Sequence, residues 1–277
     1  MSASKKEISR RTFITRTTKM GLVFYGVGIF QTKPSKKTSE IGPHRYINQS
    51  KCIGCGFCIP LCPMEAITSG RDTSSIDPNE CTECGACFRA KKCPTDAITP
   101  VKLEWPRVIR ETFSNPLAVH ETTLVTGRGT EGIKTNDSQN RYKRGEIGVF
   151  IEVGRPVLGG RFRDVEKIVK TFKAHGYDVI PENPIAALID DPKTGAIKAE
   201  ILDEKIISCV IEFILPNDSA VVLMTMVAAL SSEVESVFSL SVALRADKRG
   251  RSPFEKIFGS NIFRLPNAKS NLGVVQP

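Results

Sequence analysis

The apolar positions change their spacing several times along the 277 residues, and each change marks an element or its end. "EIGVFIEVG", 146–154, predicts a strand. In "RFRDVEKIVKTFKAHG", 161–176, Phe162, Val165, Ile168, Val169 and Phe172 recur at steps of three and four, which predicts a helix with one buried stripe and Gly176 as its stop. "NPIAALIDDPKTGAIKAEIL", 183–202, predicts a strand with a turn at Lys193, Thr194 and Gly195, and "KIISCVIEFIL", 205–215, a buried strand. "DSAVVLMTMVAALSS", 218–232, predicts a helix; its apolar run is too short to span a bilayer and belongs to a core. "ESVFSLSVALR", 235–245, alternates Phe238, Leu240 and Val242 with Ser239 and Ser241, the period of a strand with one buried face.

The order is β-α-β-β-α-β, which packs as an antiparallel sheet with two helices on one face. The unit runs over 146–246, between a stretch without sustained period at 105–145 and a polar tail at 247–277. The first of these, rich in Thr, Gly, Asn, Asp and Arg, predicts a connector that packs on a domain or partner. Gly127, Gly129 and Gly132 formally satisfy G-x-G-x-x-G, but the following "IKTNDSQNRYKRG" is turn-like, so no helix follows to hold a dinucleotide and a solvated loop is expected.

The formal charge of +9 invites a nucleic-acid reading, and its distribution removes it. Nine basic residues (Lys5, Lys6, Arg10, Arg11, Arg16, Lys19, Lys33, Lys36, Lys37) stand against Glu7 and Glu40 in the first 40, and the rest of the chain is nearly neutral. A basic leader on a neutral body points to targeting or a membrane surface. Ser9, Arg10, Arg11, Phe13 and Ile14 match the pattern of a twin-arginine export signal, and residues 20–30 supply the short apolar stretch that follows one. Eleven apolar residues do not span a bilayer, which takes about 20. No small-x-small cleavage site follows, because the stretch runs into Gln31, Thr32 and Lys33, so residues 1–42 are expected to act as a signal or to stay as an anchor.

Eight of the nine cysteines fall in two sets, Cys52, Cys55, Cys58, Cys62 and Cys81, Cys84, Cys87, Cys93, with Pro63 and Pro94 after the last member of each. Ala-Ile-Thr recurs at 66–68 and 97–99, so the segment is an internal duplication and predicts two equivalent sites. C-x2-C-x2-C-x3-C-P is a run of thiolates that must curl around one corner of a polynuclear group, and Gly54, Gly56 and Gly85 supply permissive backbone there. Zinc sites use paired C-x2-C units across a longer loop, and disulfides would face several mutually exclusive pairings. The ninth, Cys209, lies in an apolar strand and is expected to be structural, and His44, His120 and His175 have no ligand spacing. Gly154 to Arg161, "GRPVLGGR", is expected to be a turn, with an anion cradle as its alternative.

On these residues, 43–104 resembles the bacterial two-cluster [4Fe-4S] ferredoxin domain. The resemblance implies that one cluster is held by Cys52, Cys55, Cys58 and Cys93 and the other by Cys81, Cys84, Cys87 and Cys62, each stretch lending its fourth thiolate across. Five residues, Phe88 to Lys92, separate Cys87 from Cys93 where the family commonly has three, which lengthens a loop without removing a ligand. The 146–246 unit resembles ACT-type sensing domains in element order only.

The expected fold is therefore α+β: a two-[4Fe-4S] ferredoxin domain followed by a βαββαβ ferredoxin-like sandwich. The expected function is single-electron relay by an exported subunit at the outer face of the cytoplasmic membrane or in the periplasm. Its partners would be redox proteins such as a membrane or periplasmic oxidoreductase, and its role non-catalytic. The alternative function is a redox-responsive regulator whose second domain binds a small ligand, and the alternative location is the cytoplasm. The layout is similar to that of exported ferredoxin-like subunits of periplasmic reductases.

Overall fold

The computed structural model describes residues 42–130, 141–155, 158–249, 251 and 253–259. The basic leader, with its Arg10-Arg11 pair, lies outside the described residues, as do Gly132 and the last part of the tail. Among the described residues no helix is long and apolar enough to cross a membrane.

The cysteine segment is built on short antiparallel ribbons. β1 (Tyr46–Ile47), β2 (Ile67–Ser69), β3 (Ser74–Ile76) and β4 (Ile98–Thr99) pair as β1 with β4 and β2 with β3. The repeated Ala-Ile-Thr accounts for β2 and β4: Ala66, Ile67, Ala97 and Ile98 are all buried, and Ile47, Ile67, Ala97 and Ile98 form with Cys87 a small apolar core under the cysteines. Between the ribbons, α1 (Ala86–Arg89) carries Cys87 and occupies the stretch where this chain has its longer loop.

Within 105–130 of the expected connector, a short helix packs on the larger unit. α2 (Val108–Ser114) inserts Ile109 and Phe113 into the main core of the following unit. It is too short for its two buried apolar positions to register as a period, which is why the sequence does not announce it. Beyond it, Val119 and Thr126 form one antiparallel bridge.

The larger unit has a three-stranded antiparallel sheet in which β5 (Glu146–Val153) is central. After β6 (Gly160–Arg161), the amphipathic α3 (Phe162–Ala174) packs its Phe162, Val165, Ile168, Val169 and Phe172 stripe inward as the spacing predicts. β7 (Ile189–Asp191) and β8 (Ala196–Ile197) form a separate hairpin. This corrects the expectation of a sheet strand over 183–202. Ile185 and Leu188 are buried, but they lie before or within a 3-10 turn, where an apolar run serves the core without joining the sheet. What stands beside β10 in that place is a single bridge, Val179 to Phe213.

The expected strand at 205–215 is also divided, into β9 (Lys205–Ile206), paired with β6, and β10 (Cys209–Pro216), paired along its length with β5 from Cys209↔Val153 to Pro216↔Glu146. α4 (Ala220–Glu233) follows, then β11 (Phe238–Ala243) on the other side of β5, in register Phe238↔Val153 to Ala243↔Gly148. Both long helices share one apolar core with the sheet, and Phe172 stacks on Phe213 at 4.0 Å within it. A short α5 (Phe254–Phe258) lies in the segment expected to be tail, with Ile257 and Phe258 against the same core.

Candidate metal centre

The duplication in sequence is a duplication in backbone. Left-handed φ recurs at matched places: two residues after the first cysteine at Gly54 (67°) and Glu83 (56°), after the second at Gly56 (72°) and Gly85 (69°), and three after the last at Glu65 (53°) and Asp96 (49°). Such turns direct successive N–H groups toward one side. At the end of each set the pattern closes on sulfur, since Ala66 N–H donates to Cys62 Sγ at 3.3 Å and Ala97 N–H to Cys93 Sγ at 3.2 Å. Ser74 N–H donates likewise to Cys52 Sγ at 3.4 Å.

These turns sort the eight thiols across the repeat, not within it. One cavity is lined by Cys52, Cys55, Cys58 and Cys93, with Ile47, Ile53, Ser74 and Thr95 around them. A second is lined by Cys62, Cys81, Cys84 and Cys87, with Arg45, Met64, Thr82 and Ile76. Among the described residues no three of His, Cys, Asp or Glu converge as the ligands of one ion do. The thiols ring a space instead, as an iron–sulfur cubane with one thiolate per iron requires.

The two surroundings differ. Cys55 is exposed, whereas Cys84 and Cys87 are buried. Burial pushes the Cys81 thiol up to about 12 and the Cys87 thiol up to about 11, against the pull of Arg107 on the former and Arg45 on the latter. Cys58 is raised by burial too. Cys93 is only partly buried, and against that burial the N–H groups of Ala97, Thr95 and Ile98 lower it. Such thiols would bind iron as thiolates, with their protons released to solvent as the metal binds.

The residues fit a cluster by donor chemistry and by what they leave unsatisfied. Among the described residues the Ser74 and Thr82 hydroxyls are directed at the Cys58 and Cys84 thiols, and Arg45 Nε and Arg45 Nη1 beside the second cavity are buried donors without a hydrogen-bond acceptor. Such groups carry a cost of about 1–3 kcal/mol each unless something accepts from them, and sulfide or thiolate would. A [4Fe-4S] group held this way supplies one-electron chemistry with every iron ligated. The chain then contributes the thiolates, N–H donors to sulfur and an apolar floor of Ile47, Ile67 and Ile98 that keeps water from beneath.

Residues outside the cysteine pattern also build the second site. Glu83, between Cys81 and Cys84, has no solvent exposure, and its Oε1 accepts from Arg107 Nε at 2.8 Å, Arg107 Nη2 at 2.6 Å and the Arg45 backbone N–H at 3.3 Å. Its signal in the sequence is a mismatch in the repeat, glutamate where the first copy has Gly54. Arg110 on α2 donates to Pro78 O, Asn79 O and Cys81 O and pairs with Glu204, so the second cavity is tied to the larger unit. Lys205 and Arg161 add a further tie through Glu80.

The other sequence candidates are structural. Cys209 is fully buried, its thiol pushed up to about 12 by burial. His120 is buried edge-on to Phe113, with a ring nitrogen 3.2 Å from Gly127 O. His44 Nδ1 lies 3.0 Å from Gly42 O and His175 Nδ1 2.9 Å from Thr171 O, and Arg155 and Arg161 of the glycine-rich turn are paired with Glu152 and Glu80.

Residues 45–68 match the family described as 4Fe-4S binding domain. The chain is 37% identical over 71 residues to Ferredoxin 7Fe of Hydrogenibacillus schlegelii, covering 24% of this chain and 88% of that one. It is 39% identical over 57 residues to Ferredoxin-1 of Caulobacter vibrioides, 20% and 49% of the two chains. It is 43% identical over 51 residues to a component of the Na(+)-translocating ferredoxin:NAD(+) oxidoreductase complex of Acetobacterium woodii, 18% and 15%. The match thus spans about half of Ferredoxin-1 and a small part of the oxidoreductase component. Thiol chemistry, repeat and relatives agree on 4Fe-4S binding and iron–sulfur electron transfer: the chain belongs to the ferredoxin family.

Proposed function

We propose that this protein carries two [4Fe-4S] clusters and relays single electrons between redox protein partners as an exported, non-catalytic subunit. One cluster is assigned to Cys52, Cys55, Cys58 and Cys93 and the other to Cys81, Cys84, Cys87 and Cys62. The observation that carries the reading is the grouping of thiols into two cavities, four to each, with Cys62 and Cys93 exchanged between the copies of the repeat. Residues 146–246 are read as a βαββαβ sandwich whose second strand has shrunk to the Val179–Phe213 bridge. Its role is to hold the second cluster's surroundings through Arg110, Glu204 and Lys205 and to dock on a membrane or periplasmic oxidoreductase. The leader's Arg10-Arg11 pair and short apolar stretch support export.

Two measurements on anaerobically prepared protein test the assignment. Iron and acid-labile sulfide are expected at about eight each per chain, and the fully reduced EPR spectrum should show two interacting clusters. Four iron per chain rejects it. Cys93→Ser should then damage the cluster of Cys52, Cys55 and Cys58 and spare the other. Damage confined to the cluster of Cys81, Cys84 and Cys87 would mean that each stretch is self-contained.

A further inference from the structure

The two thiol-lined cavities are alike in ligands and unlike in charge. Among the described residues no ionisable side chain besides the thiols lines the first; its polar neighbours are Ser74 and Thr95. Arg45 lines the second. It is only 6% exposed, with Cζ 5.6 Å from the Phe88 ring centroid, and its Nε lies 3.6 Å from Glu83 Oε2, too far to hydrogen-bond. Neither Nε nor Nη1 has an acceptor, so the guanidinium keeps donors free beside Cys62, Cys81, Cys84 and Cys87.

Two more arginines stand close. Arg89 Nη1 donates to Cys84 O at 2.7 Å and to Asn115 Oδ1 at 2.7 Å, and Arg107 is bound to Glu83. Arg110, which donates to Cys81 O at 2.7 Å and pairs with Glu204, adds a fourth, so among the described residues four guanidinium groups gather around this site against two buried carboxylates, Glu83 and Glu204. Glu83 itself adopts a left-handed φ of 56°, a conformation that costs a β-carbon residue stability. The chain accepts that strain where the carboxylate orients Arg107 and the backbone of Arg45.

On this asymmetry, and resting on the two-cluster reading above, we propose that Arg45 raises the reduction potential of the cluster held by Cys62, Cys81, Cys84 and Cys87 above that of its neighbour. The physical reason is a competition. Reduction adds one negative charge to a site that is already anionic, so burial alone would make the second site the harder to reduce. A desolvated cation at contact favours the more negative state and reverses the order. An electron from a one-electron-donating redox protein then reduces the site nearer solvent, marked by the exposed Cys55. It passes inward, reoxidising the first site as the second is reduced.

EPR-monitored redox titration of the anaerobic holoprotein tests this, with Cys55→Ser marking the wave that belongs to the first cluster. The parent should show two waves, the unmarked one at higher potential. Arg45→Met should shift that wave to lower potential and leave the marked one in place, and Arg45→Lys, which keeps the charge, should retain most of the offset. Unmoved waves in Arg45→Met, or movement of the marked wave alone, overturn the proposal. Should Arg45→Met not load both clusters, Glu83→Gln decides: removing the buried negative charge should shift the unmarked wave upward, and an unchanged wave there overturns it equally. Failure of the underlying reading is told apart by the parent itself, which would then contain about four iron and a single wave.

Discussion

At the scale of single residues, the left-handed positions of the cysteine turns separate two kinds of glycine. A Cβ at Gly54 would stand 2.6 Å from the Asp72 carbonyl oxygen, a backbone atom that cannot turn aside, whereas at Gly56 the nearest atom is Ile59 Cδ1 at an ordinary 3.7 Å. Both positions carry positive φ, so alanine at either meets a conformational cost of about 1 kcal/mol or more. Only Gly54→Ala adds a clash that shifts the turn between Cys52 and Cys55. Gly56→Ala is expected to load iron nearly as the parent does, and Gly54→Ala to lose iron from the first site and about 1–3 kcal/mol of stability beyond it. Iron content and urea midpoints of the two variants, compared side by side, check the order; equal losses would mean that space at Gly54 is not what the turn requires. Glu83 occupies the matching place in the second copy, and there the side chain binds Arg107 and the Arg45 backbone.

At the scale of elements, α2 shows why part of the molecule was legible and part was not. The α3 stripe and the strands over 146–153 and 209–216 were readable because their apolar positions repeat locally for eight residues or more. The eight cysteines were readable because ligand spacing is local as well. Arg107 and Arg110 act across sequence separations of 24 to 94 residues, which no window along the chain detects. The hairpin of β7 and β8 was misplaced for a related reason: apolar residues at 185–189 indicate burial, but which sheet they join depends on partners elsewhere. Arg110 is also where a distant contact has its largest consequence. It is buried, and its removal leaves Glu204 without its counter-charge and the carbonyls of Pro78, Asn79 and Cys81 without that donor. Arg110→Ala should therefore cost about 3–5 kcal/mol. Under a chelator it should release iron from the second site faster than from the first. Uniform loss from both sites would show instead that α2 supports the fold as a whole.

At the scale of the whole molecule, charge and cofactor chemistry bear on one question, the side of the membrane on which the protein works. The described part of the chain is a folded α+β body whose thiols must be loaded with iron before oxidants reach them, since free thiolates outside the cytoplasm are drawn into disulfides. A route that moves folded, loaded protein would meet that need, and the Arg10-Arg11 pair ahead of residues 20–30 is the feature such a route reads. General attraction of a basic leader to anionic lipid would depend on charge and not on which cation carries it. Recognition of the paired guanidinium groups would depend on their planar fork of donors, which lysine lacks. Replacing Arg10 and Arg11 by Lys separates the two, because net charge is unchanged. The double variant is expected to accumulate in the cytoplasm with its visible iron–sulfur absorbance intact, while the parent becomes accessible to protease added outside the cytoplasmic membrane. Equal protection of parent and variant would make the leader a basic tail that serves the cytoplasmic face. The electron-transfer chemistry of the thiol-bound sites would stand, and its partners would have to be sought among cytoplasmic carriers.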